Sequence, residues 1–226
     1  MSVIHAYLLP RPGVDDELMA LAHACRPVLL NHPIDPAASS QTGDPGTLHI
    51  TLDMIADAPS ARISHGERQD MIGALHEELA GIAPFDTEVG PPISTVAGAV
   101  LDVWPEDEAV ALQNRVRSTI RRTRGDRALQ HSSGRLHMSL GYSYGPGDSD
   151  VLNSQLRNGI RPRRAPMHVD TVHLLNVRYD IAVDTGGWRM AWESLAEIPL
   201  GTRIPASPRH PPLAGPGTDV RASDIR

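Results

Sequence analysis

Two short stretches of the chain carry the same order of residue types. One reads LHITLDM from residue 48 and the other reads LHMSLGY from residue 136, so each has Leu, His, an apolar residue, a hydroxyl residue and Leu. Side chains two residues apart in a β-strand point to the same face. In each stretch the imidazole and the hydroxyl therefore share one face, while the apolar residues face the interior. The residues that share a face are His49 with Thr51, and His137 with Ser139.

Two imidazoles and two hydroxyls that line one cleft are suited to reactions of a phosphodiester. One imidazole can take a proton from an attacking water or hydroxyl while the other gives a proton to the leaving oxygen. Histidine suits both tasks because its unperturbed pKa, about 6.5, lies close to working pH. The hydroxyls can donate hydrogen bonds to the non-bridging oxygens, where charge develops. The sequence does not assign which histidine is the base.

The elements around the two motifs form a repeated block. A histidine strand, a helix and two strands are predicted over residues 48–103, and the same order recurs over 136–198, with a joining helix at 106–124. Either motif alone would also suit a solvated strand, but the two copies occupy equivalent points of the block. We therefore predict an α+β fold, in which two pseudo-symmetric lobes of antiparallel sheet carry helices on their outer faces and enclose a central cleft.

A single bilobal domain is expected to span residues 1–200. Residues 201–226 have no apolar period and are predicted to be a disordered tail. Local signals define some elements within the domain: Ser64 and Glu67 make a capping-box signature before a helix, and Gly125 is typical of a helix end. The stretch MHVDTVHLLNVRYD is predicted to be one long strand, and DTGG after it predicts a hairpin.

With these two motifs the sequence resembles the 2H phosphoesterase superfamily, which contains bacterial 2′-5′ RNA ligase-like proteins and cyclic nucleotide phosphodiesterases. The resemblance covers about residues 1–200 and rests on the two His-x-Ser/Thr-apolar motifs and their separation. It implies a reaction without metal or cofactor at a 2′,3′-cyclic phosphate, which usually leaves a 2′-phosphate; some members join or cleave 2′-5′ linkages. It also implies that His49 and His137 are the acid–base pair and that Thr51 and Ser139 bind the phosphate.

The expected partner is a nucleotide or RNA that carries a cyclic phosphate or phosphodiester, and no obligate protein partner is inferred. Three other side chains are candidates for contacts with the substrate, although solvated or structural roles also suit them. An Arg can donate two hydrogen bonds to one phosphate, and a Tyr can stack on a base. The candidates are Tyr7 and Arg11, in and after the first strand, and Arg135, just before the second motif.

Aromatic residues are few, since the chain has only 1 Phe, 4 Tyr and 3 Trp. Candidates for stacking on a base are correspondingly few. Strict alternation from His137 points Tyr142 away from the cleft. Tyr144 is expected to face the same way as Tyr142, unless Gly141 marks a β-bulge.

Composition excludes several kinds of chemistry. All 21 basic residues are Arg, which excludes Schiff-base, P-loop and lysyl-adenylate mechanisms that need Lys. Cys25 is the only cysteine, so an intrachain disulfide and a Cys-based zinc site are excluded, and its helical position predicts a core residue. No apolar run approaches the roughly 20 residues of a membrane helix. No signal-peptide pattern is present either, and a cytoplasmic location is expected.

The charge of the chain is unevenly distributed. Residues 111–164 carry eleven Arg against three acids, whereas the rest carries ten Arg against twenty-four acids, within a net charge of −6. Such a bias can attract a phosphate-bearing ligand, or it can complement the dipole of the helix at 106–124. The RPRR cluster at 161–164 leaves the same choice between an RNA contact and a solvated turn.

Three functions remain open from the sequence. The leading one is a metal-independent phosphodiesterase that acts on a 2′,3′-cyclic phosphate or a related nucleotide or RNA phosphodiester by His/His acid–base catalysis, with reversible 2′-5′ RNA ligation as an extension. A catalytically idle RNA- or nucleotide-binding module of the same fold is the first alternative. The second is an enzyme with an unrelated phosphodiester substrate, because one architecture hosts many functions. Two intact motifs favour an enzyme.

Overall fold

The structure is a computed structural model that describes residues 2–129 and 134–201. Apart from Gly201, the tail predicted to be disordered lies outside the described residues. The helices are α1 (Asp16–Leu30), α2 (His65–Leu79), α3 (Asp107–Arg124) and α4 (Ser149–Gly159). The strands are β1 (Ser2–Leu8), β2 (Ile34–Pro36), β3 (Ile50–Met54), β4 (Phe85–Thr95), β5 (Gly98–Trp104), β6 (His137–Ser143), β7 (Ala165–Val169), β8 (Thr171–Ile181) and β9 (Trp188–Pro199).

The strands form one antiparallel sheet in the order β7-β4-β5-β6-β3-β1-β8-β9, and the short β2 also pairs with β6. Helices α1 and α4 pack on β7, β6 and β4, while α2 and α3 pack on β9 and β3. One face of the sheet and the helices share a single apolar core, to which Leu52, Leu101, Met138 and Leu174 belong. The predicted α+β class with an antiparallel sheet is confirmed.

The opposite face of the sheet, called the open face below, carries the alternate residues of the same strands. In β5 the buried residues Leu101 and Val103 alternate with the more exposed Asp102 and Trp104. This period of two is the alternation of a sheet that is covered on one side.

None of the helices in residues 2–129 and 134–201 is both long and apolar enough to cross a membrane.

The sheet has two halves of four main strands each, which meet between β3 and β6 at the single assigned residue pair Ile50–Met138. These halves differ from the lobes predicted at 48–103 and 136–198. Strands β4 and β5 lie beside the second histidine strand, and β8 and β9 extend the half that contains the first. The difference arises because β1 takes the position beside β3 and pairs with β8, a long-range pairing that alternation along the chain does not report.

Several local predictions are confirmed and one is wrong. Ser64 and Glu67 form the capping box of α2, and α3 ends at Gly125, where φ is 84°. The predicted long strand is wrong, because it breaks at Asp170 into β7 and β8. The two strands lie in opposite halves of the sheet, with β7 at one edge, so the chain crosses from one half to the other at this point.

Candidate active site

The register of β3 against β6 brings the two motifs together on the open face. Ile50 pairs with Met138, and the Ser139 backbone N–H donates to the His49 carbonyl at 3.1 Å. In this antiparallel register His49 lies across from Ser139, and Thr51 lies across from His137. Residues directly opposite in such a pair have Cβ atoms about 5 Å apart. Each histidine therefore lies beside the hydroxyl of the other motif, and the four predicted residues form one cluster.

Both imidazoles are held by the same kind of hydrogen bond. His49 Nδ1 lies 2.8 Å from the Thr47 carbonyl oxygen, and His137 Nδ1 lies 2.8 Å from the Arg135 carbonyl oxygen. A carbonyl oxygen only accepts, so Nδ1 carries the hydrogen in both rings. In the neutral ring Nε2 is then the nitrogen that can accept a proton. The repeated Thr/Arg-Leu-His order of the two motifs produces this shared geometry.

The environments of the two histidines differ greatly. His49 is only 2% exposed. Its ring stacks on Tyr7 with centroids 4.3 Å apart, and the Trp192 ring meets it edge-on at 5.9 Å. Burial lowers the pKa of His49 to about 4; the nearby His137 lowers it further, and the Thr47 carbonyl opposes both. His137 is exposed. The buried ring is thus held neutral, whereas the other is open to solvent.

Tyr142 joins the cluster, although alternation from His137 predicted that it points away. Its hydroxyl donates to Ser139 Oγ at 3.1 Å and lies 3.5 Å from His49 Nε2. The prediction is wrong because Ser139 and Gly141 face the consecutive residues Val100 and Ala99 of β5, a β-bulge that shifts the alternation of β6 by one residue.

Glycines permit the close approach at this bulge. Gly98 has φ 144°, and a Cβ there would overlap the Gly141 carbonyl oxygen. A Cβ on Gly141 would lie 2.7 Å from Ile34 Cγ2 and 2.8 Å from the Asp35 carbonyl oxygen. Gly141 in the middle of a strand was the signal that could have located Tyr142 at the site.

The three residues predicted to contact the substrate have different surroundings. Tyr7 is 1% exposed and stacked on His49, so its ring supports the histidine and has no face free for a base. Arg11 pairs with Asp170 at 2.9 Å. Arg135 pairs with Asp102 at 2.9 Å, and its carbonyl holds His137. Among the three, Arg135 is the residue that contacts a motif histidine and also keeps its side chain exposed.

Other candidate chemistry lies outside the cluster. Cys25 is buried in α1, and burial raises the pKa of its thiol to about 12, as expected for a core residue. Within residues 2–129 and 134–201, no three His, Cys, Asp or Glu side chains are grouped so that they could hold a metal ion.

The comparison with known families follows the motifs. The family model of the 2′-5′ RNA ligase superfamily matches residues 8–180, a range that contains both histidine strands. The chain belongs to this superfamily. The resemblance to the 2H phosphoesterases expected from the two motifs is thereby confirmed.

Solved structures with the same fold include TT0787 and two nucleotide complexes of LigT. TT0787 of Thermus thermophilus is 16% identical, with a TM-score of 0.61 and a match over 90% of this chain and 100% of that one. E. coli LigT complexed with 3′-AMP is 13% identical, with a TM-score of 0.57 and a match over 88% and 98%. LigT complexed with NADP+ is 11% identical, with a TM-score of 0.56 and the same coverage.

At these identities the likeness concerns the fold. A search of the curated proteins found no match. Membership of the 2′-5′ RNA ligase superfamily supports a function in phosphodiester cleavage or RNA processing.

Proposed function

We propose that the protein is a metal-independent phosphodiesterase that opens nucleoside 2′,3′-cyclic phosphates by acid–base catalysis. The observation that carries the proposal is the pair of imidazoles on β3 and β6, each fixed through Nδ1 and each beside the hydroxyl of the other motif. This arrangement offers two Nε2 atoms for proton transfer and two hydroxyls for one phosphate. LigT has been solved with 3′-AMP, and this relative supports a nucleotide as the substrate.

We assign the base to His49 and the acid to His137. His49 is neutral above its lowered pKa of about 4 and can accept a proton on Nε2. The anionic phosphate, once bound, favours the imidazolium that forms. His137 is the exposed imidazole of the pair, and the acid is assigned to it because the base is assigned to His49. The difference in burial supports this assignment, which the sequence leaves open.

The proposed reaction is an in-line displacement at phosphorus. Water attacks the phosphorus while His49 Nε2 takes its proton, and the bond from phosphorus to O3′ breaks while His137 gives a proton to O3′. The products are a 2′-phosphate and a free 3′-hydroxyl. The Thr51 and Ser139 hydroxyls donate to the non-bridging oxygens, and the Tyr142 hydroxyl orients Ser139.

The same site can join RNA if a 5′-hydroxyl takes the place of water. The new bond would be a 2′-5′ phosphodiester, and the 3′-hydroxyl would again be the leaving group. The chain has no Lys, so this joining uses the energy of the cyclic phosphate and not a lysyl-adenylate.

The direct test is incubation of the purified protein with 2′,3′-cyclic mononucleotides in the presence of EDTA. We expect 2′-phosphate products at a rate that EDTA leaves unchanged. Loss of activity in EDTA would contradict the metal-independent mechanism. Tight binding of RNA with no product under any condition would instead favour the idle binding module.

Single substitutions test the two histidines. His49→Ala and His137→Ala should each lower kcat by about 10²–10⁴-fold, because each removes one proton-transfer group. His76→Ala, on the last turn of α2, is the control and should retain wild-type kcat. A kcat within a few-fold of wild type for either motif variant would remove that histidine from the mechanism.

A further inference from the structure

One end of the open face contains an apolar pocket next to the histidine cluster. It has a volume of about 480 Å³ and is lined by side chains from β1, β6, β8 and β9. None of the described residues that line it carries a charge. The lining residues are Val3, Tyr142, Tyr179, Trp188 and Met190.

Two tyrosines connect the pocket to the catalytic cluster. The Tyr142 ring lines the pocket, while its hydroxyl lies 3.1 Å from Ser139 Oγ and 3.5 Å from His49 Nε2. Tyr179 lines the pocket as well, and its hydroxyl is hydrogen-bonded to Tyr7, the ring that stacks on His49. The pocket therefore begins about one tyrosine ring away from the position of the reacting phosphate, which is the length scale of a ribose.

Aromatic residues are concentrated in this part of the sheet. The chain has eight Phe, Tyr and Trp residues in all. Five of them line the pocket or contact the His49 ring. Trp188 is 55% exposed at the edge of the pocket, where bound aromatic rings would cover it. These five residues are Tyr7, Tyr142, Tyr179, Trp188 and Trp192.

The far half of the open face has a different character. Its strands β4 and β5 present the acidic side chains Asp86, Glu88 and Asp102, with Trp104 as an exposed aromatic residue. An apolar base gains little there, because these carboxylates pair with Arg135, Arg164 and His168 and make the surface polar. The two histidine motifs are nearly symmetric, so the motifs alone allow the base of the substrate to lie toward either half of the sheet. The contrast between the halves favours the half that contains β8 and β9.

We infer that the pocket lined by Val3, Tyr142, Tyr179, Trp188 and Met190 binds the nucleobase of the substrate whose cyclic phosphate lies between His49 and His137. The inference rests on the proposed function and fixes the direction of the nucleotide, with the base toward β8 and β9. Base–aromatic stacking of this kind tolerates different bases, because every base has a π-face.

The lining also determines which bases are favoured. Apart from two tyrosine hydroxyls and the Trp188 indole N–H, the described lining side chains have no group that can hydrogen-bond to the edge of a base. Recognition therefore depends mainly on the area of the ring, and purines bury more area than pyrimidines. Adenosine and guanosine 2′,3′-cyclic phosphates should have KM values within a few-fold of each other, both lower than those of cytidine and uridine.

A matched pair of tryptophan variants tests the inference. Trp188 and Trp104 are 55% and 53% exposed, and both lie on strands of the open face, but in opposite halves. Trp188→Ala should raise KM for adenosine 2′,3′-cyclic phosphate, and the Kd of free adenosine measured by calorimetry, by about 5- to 100-fold, with kcat little changed. Trp104→Ala should leave both within about twofold. Met190→Ala should follow Trp188→Ala.

Each outcome has a defined meaning. Equal effects of Trp188→Ala and Trp104→Ala, or no effect of Trp188→Ala on KM and Kd, would overturn the base pocket while leaving the phosphodiesterase intact. If wild-type protein turns over no cyclic phosphate yet binds adenosine in a way that Trp188→Ala abolishes, the pocket stands and the proposed function fails. Circular dichroism of the variants checks that all three remain folded.

Discussion

His49 and His137 hold their rings through equivalent hydrogen bonds but differ in contact with solvent. Tyr7 and Trp192 cover His49, and burial lowers its pKa to about 4. A buried imidazole loses hydration in its charged form, so this cover favours the neutral ring. The pseudo-symmetry of the two motifs therefore does not extend to their chemistry, and the asymmetry originates in residues outside the motifs.

The buried His49 should make stability depend on pH. Its pKa falls from an ordinary 6.5 to about 4 on folding, so between these values the unfolded chain binds more protons than the folded one. The free energy of unfolding should be highest above about pH 6.5 and should fall by about 3 kcal/mol as the pH drops through 4.

Urea unfolding at a series of pH values measures this dependence. His49→Gln should remove the part of the pH dependence of the free energy of unfolding that His49 contributes. His173, whose pKa burial also lowers, adds to the same trend in both proteins and cancels in the comparison. Identical pH dependence in the two proteins would show that His49 is not held neutral by folding.

The Tyr142 hydroxyl allows a second test at this scale. Tyr142→Phe keeps the ring and removes the hydrogen bond to Ser139 Oγ. We expect kcat to fall by about 5- to 10-fold, the value of one ordinary hydrogen bond, with KM within about twofold. Tyr144→Phe, at the more exposed tyrosine two residues further on, is the control and should behave as wild type. An unchanged kcat for Tyr142→Phe would exclude the hydroxyl from the mechanism.

At the scale of elements, the bulge in β6 is what brings Tyr142 to the site, and it depends on a close approach between strands. Gly98→Ala would place a Cβ on top of the Gly141 carbonyl oxygen, at a φ of 144°. The free energy of unfolding should fall by about 2–4 kcal/mol.

Gly73→Ala is the matched control for Gly98→Ala. It lies in α2 with nothing within 4 Å of its added Cβ, and it should gain about 0.5–1 kcal/mol from helix propensity. Chemical denaturation of both variants compares the two effects. Equal stability of Gly98→Ala and wild type would contradict the tight packing at the bulge.

The bulge also marks the limit of what the sequence could predict. The four motif residues could be predicted because alternation within β3 and β6 is local. Tyr142 could not be located from alternation, since one extra residue at Leu140 reverses it; Gly141 is the signal that a bulge is allowed there, and the pairing with β5 shows the bulge. The sequence also did not predict which strands form each half of the sheet. The pairing of β1 with β8 joins residues far apart in sequence, and no local pattern indicates it.

At the scale of the whole molecule, the arginine-rich segment 111–164 is largely neutralised by the rest of the chain. Seven of its eleven Arg lie within 4 Å of a described carboxylate, most of these carboxylates being outside the segment. Arg117, for example, pairs at 2.7 Å with the buried Asp53 and ties α3 to the first histidine strand. The uneven charge thus serves folding more than the attraction of a polyanion.

This pairing predicts weak dependence of RNA binding on salt. Most arginines of the segment are already paired with carboxylates, so binding of a single-stranded RNA with a 2′-phosphate end should lose affinity with a log–log slope shallower than about −2. Fluorescence anisotropy over a range of salt concentrations measures the slope. A slope steeper than about −5 would show extensive contact with the RNA backbone and would favour the idle RNA-binding module.

The order in which the strands are synthesised also matters, because β8 and β9 complete the half of the sheet that contains β1 and β3. A ribosome that has just finished β6 has synthesised both histidines and both hydroxyls, yet β8 and β9 are still to come. Trp192, which meets the rings of both Tyr7 and His49, is among the residues not yet synthesised. The nascent chain therefore carries its full set of motif residues before the rings that cover His49 are complete.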